Sequence, residues 1–141
     1  MPNEVFLSHS SVDRAFVIKL ADALRIHGIP VWYSETDIRG AQQWHDEIGA
    51  ALRRCDWLVL VLSPDAVASK WVKRELLFSL GQDRFNERIA PIIHRACDHD
   101  ELSWTLSQMQ MIDFENDFDE GCRNLLRVWG IGYRMLAPGE S

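Results

Sequence analysis

The sequence lacks a long apolar run. Its longest unbroken one, Trp57 to Leu62, has six residues, whereas a helix that spans a bilayer needs about 20. No basic N-terminus followed by an apolar stretch and a small-residue cleavage site is present either, so nothing indicates secretion. We therefore expect a cytoplasmic protein that has no contact with a membrane.

Cysteine and positive charge are also scarce. The three cysteines, Cys55, Cys97 and Cys122, are odd in number and widely spaced, which favours reduced thiols over a disulfide framework. Fifteen Lys and Arg residues against 21 Asp and Glu residues leave a net charge of −6. Tight binding to a phosphate backbone needs a basic surface, so we expect no direct binding of nucleic acid.

The motifs that bind phosphate or metal ions are missing. Neither G-x-x-x-x-G-K-[ST] nor G-x-G-x-x-G follows a predicted strand, and these are the motifs that cradle nucleotide phosphates. His94, Cys97 and His99 match no common zinc spacing, so they are interpreted as part of a polar surface loop. The sequence thus predicts neither a metal nor a resident cofactor.

The composition is that of one globular domain: 141 residues, 47% of them hydrophobic and 26% charged. We expect the domain to span residues 1–134, with residues 135–141 as a tail or the start of a linker. Five segments are predicted to be strands: 5–7, 29–33, 57–62, 89–93 and 109–114. Ser10 and Asp13, three residues apart, resemble a capping box, so a helix is predicted to begin there. Further helices are predicted around Trp44, over 69–80 and over 118–129, with a long irregular or partly helical loop at 94–108.

This alternation predicts an α/β fold. The third strand has no polar alternation at all, as expected for a parallel strand covered by helices on both faces. We expect a flavodoxin-like five-stranded parallel sheet of order 2-1-3-4-5. Its ligand should bind at the carboxyl ends of strands 1 and 3, where the strand order reverses. Function is therefore expected in residues 8–11, in residues 34–43 and in the stretch after Leu62.

The segment from Ser69 to Leu80 carries the strongest chemical signal. Trp71 and Glu75 are four residues apart, so they share one face of a helix. Leu76, Leu77 and Leu80 are expected to cover the sheet from a neighbouring stripe. Spacing alone also allows a simpler interpretation, in which Glu75 is exposed and pairs with Arg74 or Lys70.

At this point the sequence resembles the Toll/interleukin-1 receptor (TIR) domain family in its bacterial form. Residues 5–13 look like the first box of these domains, and residues 28–33 with the polar loop to Gly40 look like the second strand and the BB loop. Residues 57–64 match the third strand. Residues 71–76 are similar to the helix that carries the glutamate of catalytic TIR domains. The resemblance covers residues 1–134.

The resemblance implies cleavage of NAD+ between nicotinamide and ribose. Adaptor TIR domains usually lack the glutamate that Glu75 matches, so its presence favours an enzyme whose substrate, rather than cofactor, is NAD+. Trp71 is then expected to line the nicotinamide-ribose pocket. The residues implied at the pocket rim are Ser8, His9 and Ser10, and those of the mobile wall are Asp37, Ile38 and Trp44.

The resemblance also implies partners and leaves alternatives open. Other TIR domains are the expected partners through self-assembly, together with a fused sensor or effector domain, in bacterial immune defence signalling. The product is ADP-ribose or a cyclic ADP-ribose. One alternative is a non-catalytic TIR–TIR signalling scaffold. Another is an enzyme like the nucleoside deoxyribosyltransferases, which shares the sheet and a catalytic glutamate but does not explain the first-box match.

Overall fold

The computed structural model describes residues 1–34 and 41–134, with the side chains of residues 41–45 left out. Its strands are β1 (Val5–Ser8), β2 (Val31–Trp32), β3 (Trp57–Leu62), β4 (Ile89–Ile93) and β5 (Ile112–Asp113). Its α-helices are α1 (Arg14–Ile26), α2 (Ala41–Arg54), α3 (Pro64–Val67), α4 (Lys70–Leu80) and α5 (Phe118–Val128). Among the described helices, none has the length and apolarity to cross a bilayer.

The strands form one parallel sheet of order β2-β1-β3-β4-β5, which confirms the predicted fold class. β1 lies inside the sheet, where Val5 pairs with Val31 of β2 and with Trp57 of β3. Because every strand runs in the same direction, all carboxyl ends meet at one edge. The described residues that directly follow β1, β2 and β3 therefore lie at that edge.

Alternation along the strands divides the core into two layers. Val5 and Leu7 of β1 pack in one cluster with α1 and α5, whereas Phe6 packs in the other with α2 and α4. Successive side chains of a strand point to opposite faces, so the alternation along β1 assigns each of its side chains to one of the two layers. The face that carries Phe6 also carries Val72 and Leu76 of α4.

The observed elements differ from the prediction at their ends. β2 and β5 each have two residues, fewer than the sequence pattern predicts, because apolar flanking residues continue into loops that still pack on the core. Ser63, which directly follows β3, caps a short helix, α3, that the sequence pattern does not predict. Leu76 is buried as expected, but Leu77 and Leu80 are exposed, so the prediction that they cover the sheet is wrong.

The start of α1 also differs in mechanism. Ser10 caps a 3-10 turn, Ser11–Asp13, by accepting from the Val12 N–H at 3.3 Å, so a helical segment does begin there. Asp13 makes no side-chain cap to α1. Its carboxylate turns instead into the interior and accepts from the Ser63 hydroxyl at 2.5 Å. The predicted capping box is therefore only half present.

Candidate active site

A cleft opens at the carboxyl ends of β1 and β2, with α4 along its side. Two side chains of α4, Trp71 and Glu75, line it. Facing them are His9 and Ser10, which follow β1, and Trp32 at the end of β2. One cleft thus holds an acid, a histidine and two indole rings, on a strand edge where α/β sheets bind ligands.

Glu75 reaches the cleft from a buried position. Its helix neighbours Val72 and Leu76 are fully buried against the sheet, and Glu75 itself is only 7% exposed. The alternative of an exposed glutamate in a local ion pair is therefore wrong. Arg74, one of the expected pairing partners, lies over the Trp71 ring instead, 5.1 Å from its centroid.

A hydroxyl from the neighbouring strand holds the Glu75 carboxylate. Ser8 Oγ donates to Glu75 Oε1 at 2.6 Å, and Ser8 is 1% exposed. Ser79, one helical turn further on, donates its hydroxyl to the Glu75 backbone carbonyl at 2.9 Å. The side chain and the backbone of Glu75 are thus each fixed by a buried serine.

Burial raises the pKa of Glu75 to about 8, and the hydrogen bond from Ser8 opposes that rise. An ionised carboxylate loses water contacts that the interior does not replace, so the neutral form is favoured. Among the described residues, Glu75 forms no ion pair. Near neutral pH this carboxyl is therefore largely protonated. A pKa perturbed by burial in a cleft is typical of functional sites.

His9 forms part of the opposite wall. Its Nδ1 lies 3.2 Å from the Leu7 carbonyl oxygen, and its ring meets the Tyr33 ring edge-on. Burial is the main cause that lowers the pKa of His9, so the ring is neutral at pH 7. Glu75 is the only carboxylate that lines the described part of the cleft.

Four of the residues that the resemblance implies, His9, Ser10, Trp71 and Glu75, line this one cleft. Ser8 does not lie at the rim, because it is buried beneath Glu75. Three further residues implied by the resemblance are not described: Asp37 and Ile38 lie outside the described residues, and Trp44 has a described backbone in α2 but no described side chain.

Four cleft residues lie outside the segments in which the sequence placed function: Phe6, Leu7, Arg14 and Trp32. Phe6 and Leu7 belong to β1, Trp32 is the last residue of β2, and Arg14 is the first residue of α1. The rule that ligands bind at carboxyl ends could have found Trp32 once β2 was placed beside β1.

The reversal point between β1 and β3, where the sequence placed the ligand, is filled by a second cluster. Asp13 is 3% exposed and accepts from Ser63 at 2.5 Å and from Arg95 Nη2 at 2.9 Å. Arg95 also reaches Asp65 of α3 at 2.5 Å. This cluster joins the ends of β3 and β4 to the start of α1, so the open cleft lies on the β2 side of β1.

The loop that contains His94, Cys97 and His99 packs partly on its neighbours. His94 stacks on Phe16 with ring centroids 4.0 Å apart. Over the part of the chain that the structure describes, no group of three or more His, Cys, Asp and Glu side chains could hold a metal ion.

A family model of the TIR domain matches residues 5–126. Two curated relatives are each 30% identical to this chain. One is a 2′ cyclic ADP-D-ribose synthase, AbTIR, from Acinetobacter baumannii, and its match covers 72% of this chain and 39% of that protein. The other is an NAD(+) hydrolase, PdTIR, from Paracoccus denitrificans, and its match covers 80% of this chain and 38% of that protein. The matches thus span about two fifths of the length of these relatives.

The fold has close counterparts among solved structures. The TIR domain of the Toll-related receptor TRR-2 from Hydra magnipapillata superposes with a TM-score of 0.71 at 24% sequence identity, covering 88% of this chain and 95% of that one. At this level of identity the similarity is one of fold.

Proposed function

The chain belongs to the TIR domain family, and we propose that it is an NAD+ nucleosidase, an enzyme that cleaves the bond between nicotinamide and ribose in NAD+. The observation that carries the proposal is the buried Glu75, which faces a cleft with Trp71 one helical turn away. The names of the bacterial relatives, an NAD(+) hydrolase and a 2′ cyclic ADP-D-ribose synthase, support the same chemistry.

The reaction explains why one carboxylate is enough. Glycosidases that act on neutral sugars need an acid for the leaving oxygen and a second carboxylate. Nicotinamide in NAD+ is already a cationic pyridinium and leaves as a neutral amide, so it needs no proton. The demand is for negative charge beside the oxocarbenium-like transition state and for an acceptor for the ribose hydroxyls. Glu75 supplies both, and Trp71 forms an apolar wall that excludes water and stacks on the ring.

Substrate charge and the Glu75 proton are coupled in this proposal. The carboxyl has a pKa of about 8 in the empty site, so most molecules carry it neutral at pH 7. A bound pyridinium is an opposite charge, and an opposite charge lowers the pKa of a carboxyl. NAD+ binding therefore releases a proton and produces the ionised form that the transition state needs. The nicotinamide ring of the reduced dinucleotide is neutral, so its binding would not lower the pKa of Glu75 in this way.

Release of nicotinamide from NAD+ tests the proposal. Folded protein at high concentration is incubated with NAD+, nicotinamide is quantified by chromatography, and the remaining product is identified by mass. Nicotinamide is expected in equal amounts with ADP-ribose, or with cyclic ADP-ribose, which is lighter than ADP-ribose by one water molecule. Attack by water gives the first product and attack within the dinucleotide gives the second. Protein that is folded, concentrated and without nicotinamide release would instead indicate a non-catalytic TIR–TIR scaffold.

We also propose that self-assembly with other copies promotes this activity. The support is the resemblance, in which the loop matching residues 34–43 moves when domains stack, and stacking would then shift the population toward the active form. NAD+ turnover per chain should rise across a dilution series in which the mass of the species is measured in parallel. Constant turnover per chain from a monomer would contradict the proposal that assembly promotes activity. It would not contradict the proposal that the chain cleaves NAD+. A cytoplasmic role in bacterial immune signalling, with a fused sensor or effector domain, belongs to the same proposal.

A further inference from the structure

Strand geometry brings Ser8 to Glu75. Ser8 is the last residue of β1 and pairs with Leu60 on β3. Because side chains alternate along a strand, Ser8 points to the same face as Phe6. That face is covered by Val72 and Leu76 of α4, which flank Glu75 on the helix.

The contact lies behind the cleft and not within it. Glu75 lines the cleft and Ser8 does not, yet Ser8 Oγ lies 2.6 Å from Glu75 Oε1. A ligand in the cleft can therefore contact Glu75 without contacting Ser8. We propose that Ser8 is a positioning residue for Glu75, holding one carboxylate oxygen from behind so that the other is available to the substrate. This inference rests on the proposed NAD+ cleavage.

A hydroxyl suits this task because it serves both protonation states. It donates to a carboxylate and can accept from the O–H of a protonated carboxyl. Donation to the ionised form is a charge-assisted hydrogen bond, which is shorter and stronger than one between neutral groups. The contact therefore favours the carboxylate that the reaction needs, while it keeps the neutral acid satisfied in the empty site.

The other polar groups near Glu75 have contacts that differ from that of Ser8. His9 and Arg14 are the ionisable groups that share the described cleft with it, from the turn after β1 and from the start of α1. Arg74, its neighbour on α4, lies over the Trp71 ring. Ser79 donates to the backbone carbonyl of Glu75 and leaves the carboxylate untouched. Ser79 is also fully buried, so it is a matched control for the loss of a buried serine hydroxyl.

The direct test is the titration of Glu75 in the ligand-free protein, followed by carbon-13 NMR of the side-chain carboxyl, with Glu75→Gln identifying the signal. Ser8→Ala should raise the pKa of Glu75 by about one unit or more, since it removes a hydrogen bond that favours the charged form. Ser8→Cys, which replaces the hydroxyl with a weaker donor, should shift the pKa upward as well. Ser79→Ala should leave the titration unchanged. No shift in either Ser8 variant, or an equal shift in Ser79→Ala, overturns the proposal.

The kinetic test uses the same variants on NAD+. Ser8→Ala should move the rising limb of kcat/KM to higher pH by about one unit, which lowers kcat/KM about tenfold at pH 7. A tenfold fall corresponds to about 1.4 kcal/mol. Ser79→Ala should retain the parental pH profile. If the parent cleaves no NAD+ while Ser8→Ala still shifts the carboxyl titration, the proposed function fails and the positioning of Glu75 by Ser8 stands. A Ser8→Ala enzyme with the parental pH profile would reject the positioning role.

Discussion

Two buried serine–carboxylate pairs lie at the same edge of the sheet, and they differ in what surrounds them. In one pair Ser63, just after β3, donates to Asp13 at 2.5 Å. In the other Ser8, at the end of β1, donates to Glu75 at 2.6 Å. The Asp13 carboxylate also accepts a hydrogen bond from Arg95 Nη2 at 2.9 Å and forms an ion pair with it. Glu75, in contrast, takes part in none of the ion pairs of the described residues.

The difference separates a structural carboxylate from a chemical one. A buried charge that is paired and hydrogen-bonded can hold loops together, and its removal leaves its partners uncompensated. A buried carboxyl without a cation stays neutral at the cost of a raised pKa, and it regains its charge when a cationic ligand supplies the missing partner. Asp13 therefore ties three chain segments together, whereas Glu75 is the carboxyl that, in the proposed function, takes a positively charged substrate.

The largest expected effect is on activity at the Glu75 pair. Glu75→Gln keeps the shape of the side chain but removes its charge, and loss of one preorganised electrostatic contact typically costs about 100- to 1,000-fold in kcat. NAD+ turnover should fall at least that far, while circular dichroism and the melting temperature report an intact fold. A folded Gln variant with near-parental turnover would show that Glu75 is not the catalytic residue.

The largest expected effect on stability is at the other pair. Asp13→Ala removes the acceptor of the buried Ser63 hydroxyl and of the half-exposed Arg95, and loss of a hydrogen bond to a charged group costs about 1.5–3 kcal/mol. Urea unfolding measures the loss. Asp65→Ala is the matched control, because the Asp65 side chain contacts the same arginine but is 41% exposed, and its loss should cost less than about 1 kcal/mol. Equal losses in the two variants would contradict a structural role specific to Asp13.

The pH dependence of stability separates the two pairs further. The pKa of Glu75 is raised from 4.5 to about 8 in the folded chain, so between those values the folded state holds a proton that the unfolded state has lost. The stability that comes from this protonation is therefore complete below about pH 4.5 and is lost as pH rises toward 8. Between about pH 5.5 and pH 7 the parent should lose up to about 2 kcal/mol relative to Glu75→Gln. Parallel stability curves for the two proteins would contradict the raised pKa.

The smallest expected effect on stability concerns the aromatic wall. Trp71 is half-buried at the cleft, packed only in part against the core. Trp71→Ala should therefore cost about 1 kcal/mol, against ~3–5 kcal/mol for a core aromatic, and should still lower NAD+ turnover about tenfold or more. Thermal melts and kinetics on the same preparation separate the two effects. A drop in melting temperature as large as that of Asp13→Ala would place Trp71 in the core.

Sequence alone determined the order of the five strands and the parallel sheet, and its resemblance to the TIR family singled out the candidate pair Trp71 and Glu75. The local patterns behind these predictions are the unbroken apolar run of β3, the helical pattern that begins at Ser69 and the four-residue spacing of the pair on α4. In the structure Ser69 accepts from the Val72 N–H. Predictions from such patterns were confirmed because each pattern depends only on residues within a few positions of one another. The capping function predicted for Asp13 was also based on a local pattern. It was wrong because the Asp13 carboxylate instead accepts a hydrogen bond from Ser63, a residue distant in sequence.

Only the tertiary structure decided which carboxylate carries a cation and which faces the cleft. Ser8 and Glu75 are 67 residues apart in sequence, and Asp13 and Arg95 are 82 apart. Those contacts depend on how α4 and the loops after β3 and β4 are rotated against the sheet, which periodicity does not specify. Burial, the pKa of Glu75 and the position of the open cleft beside β2 all follow from that packing, because the free energy of a charge depends on every group around it.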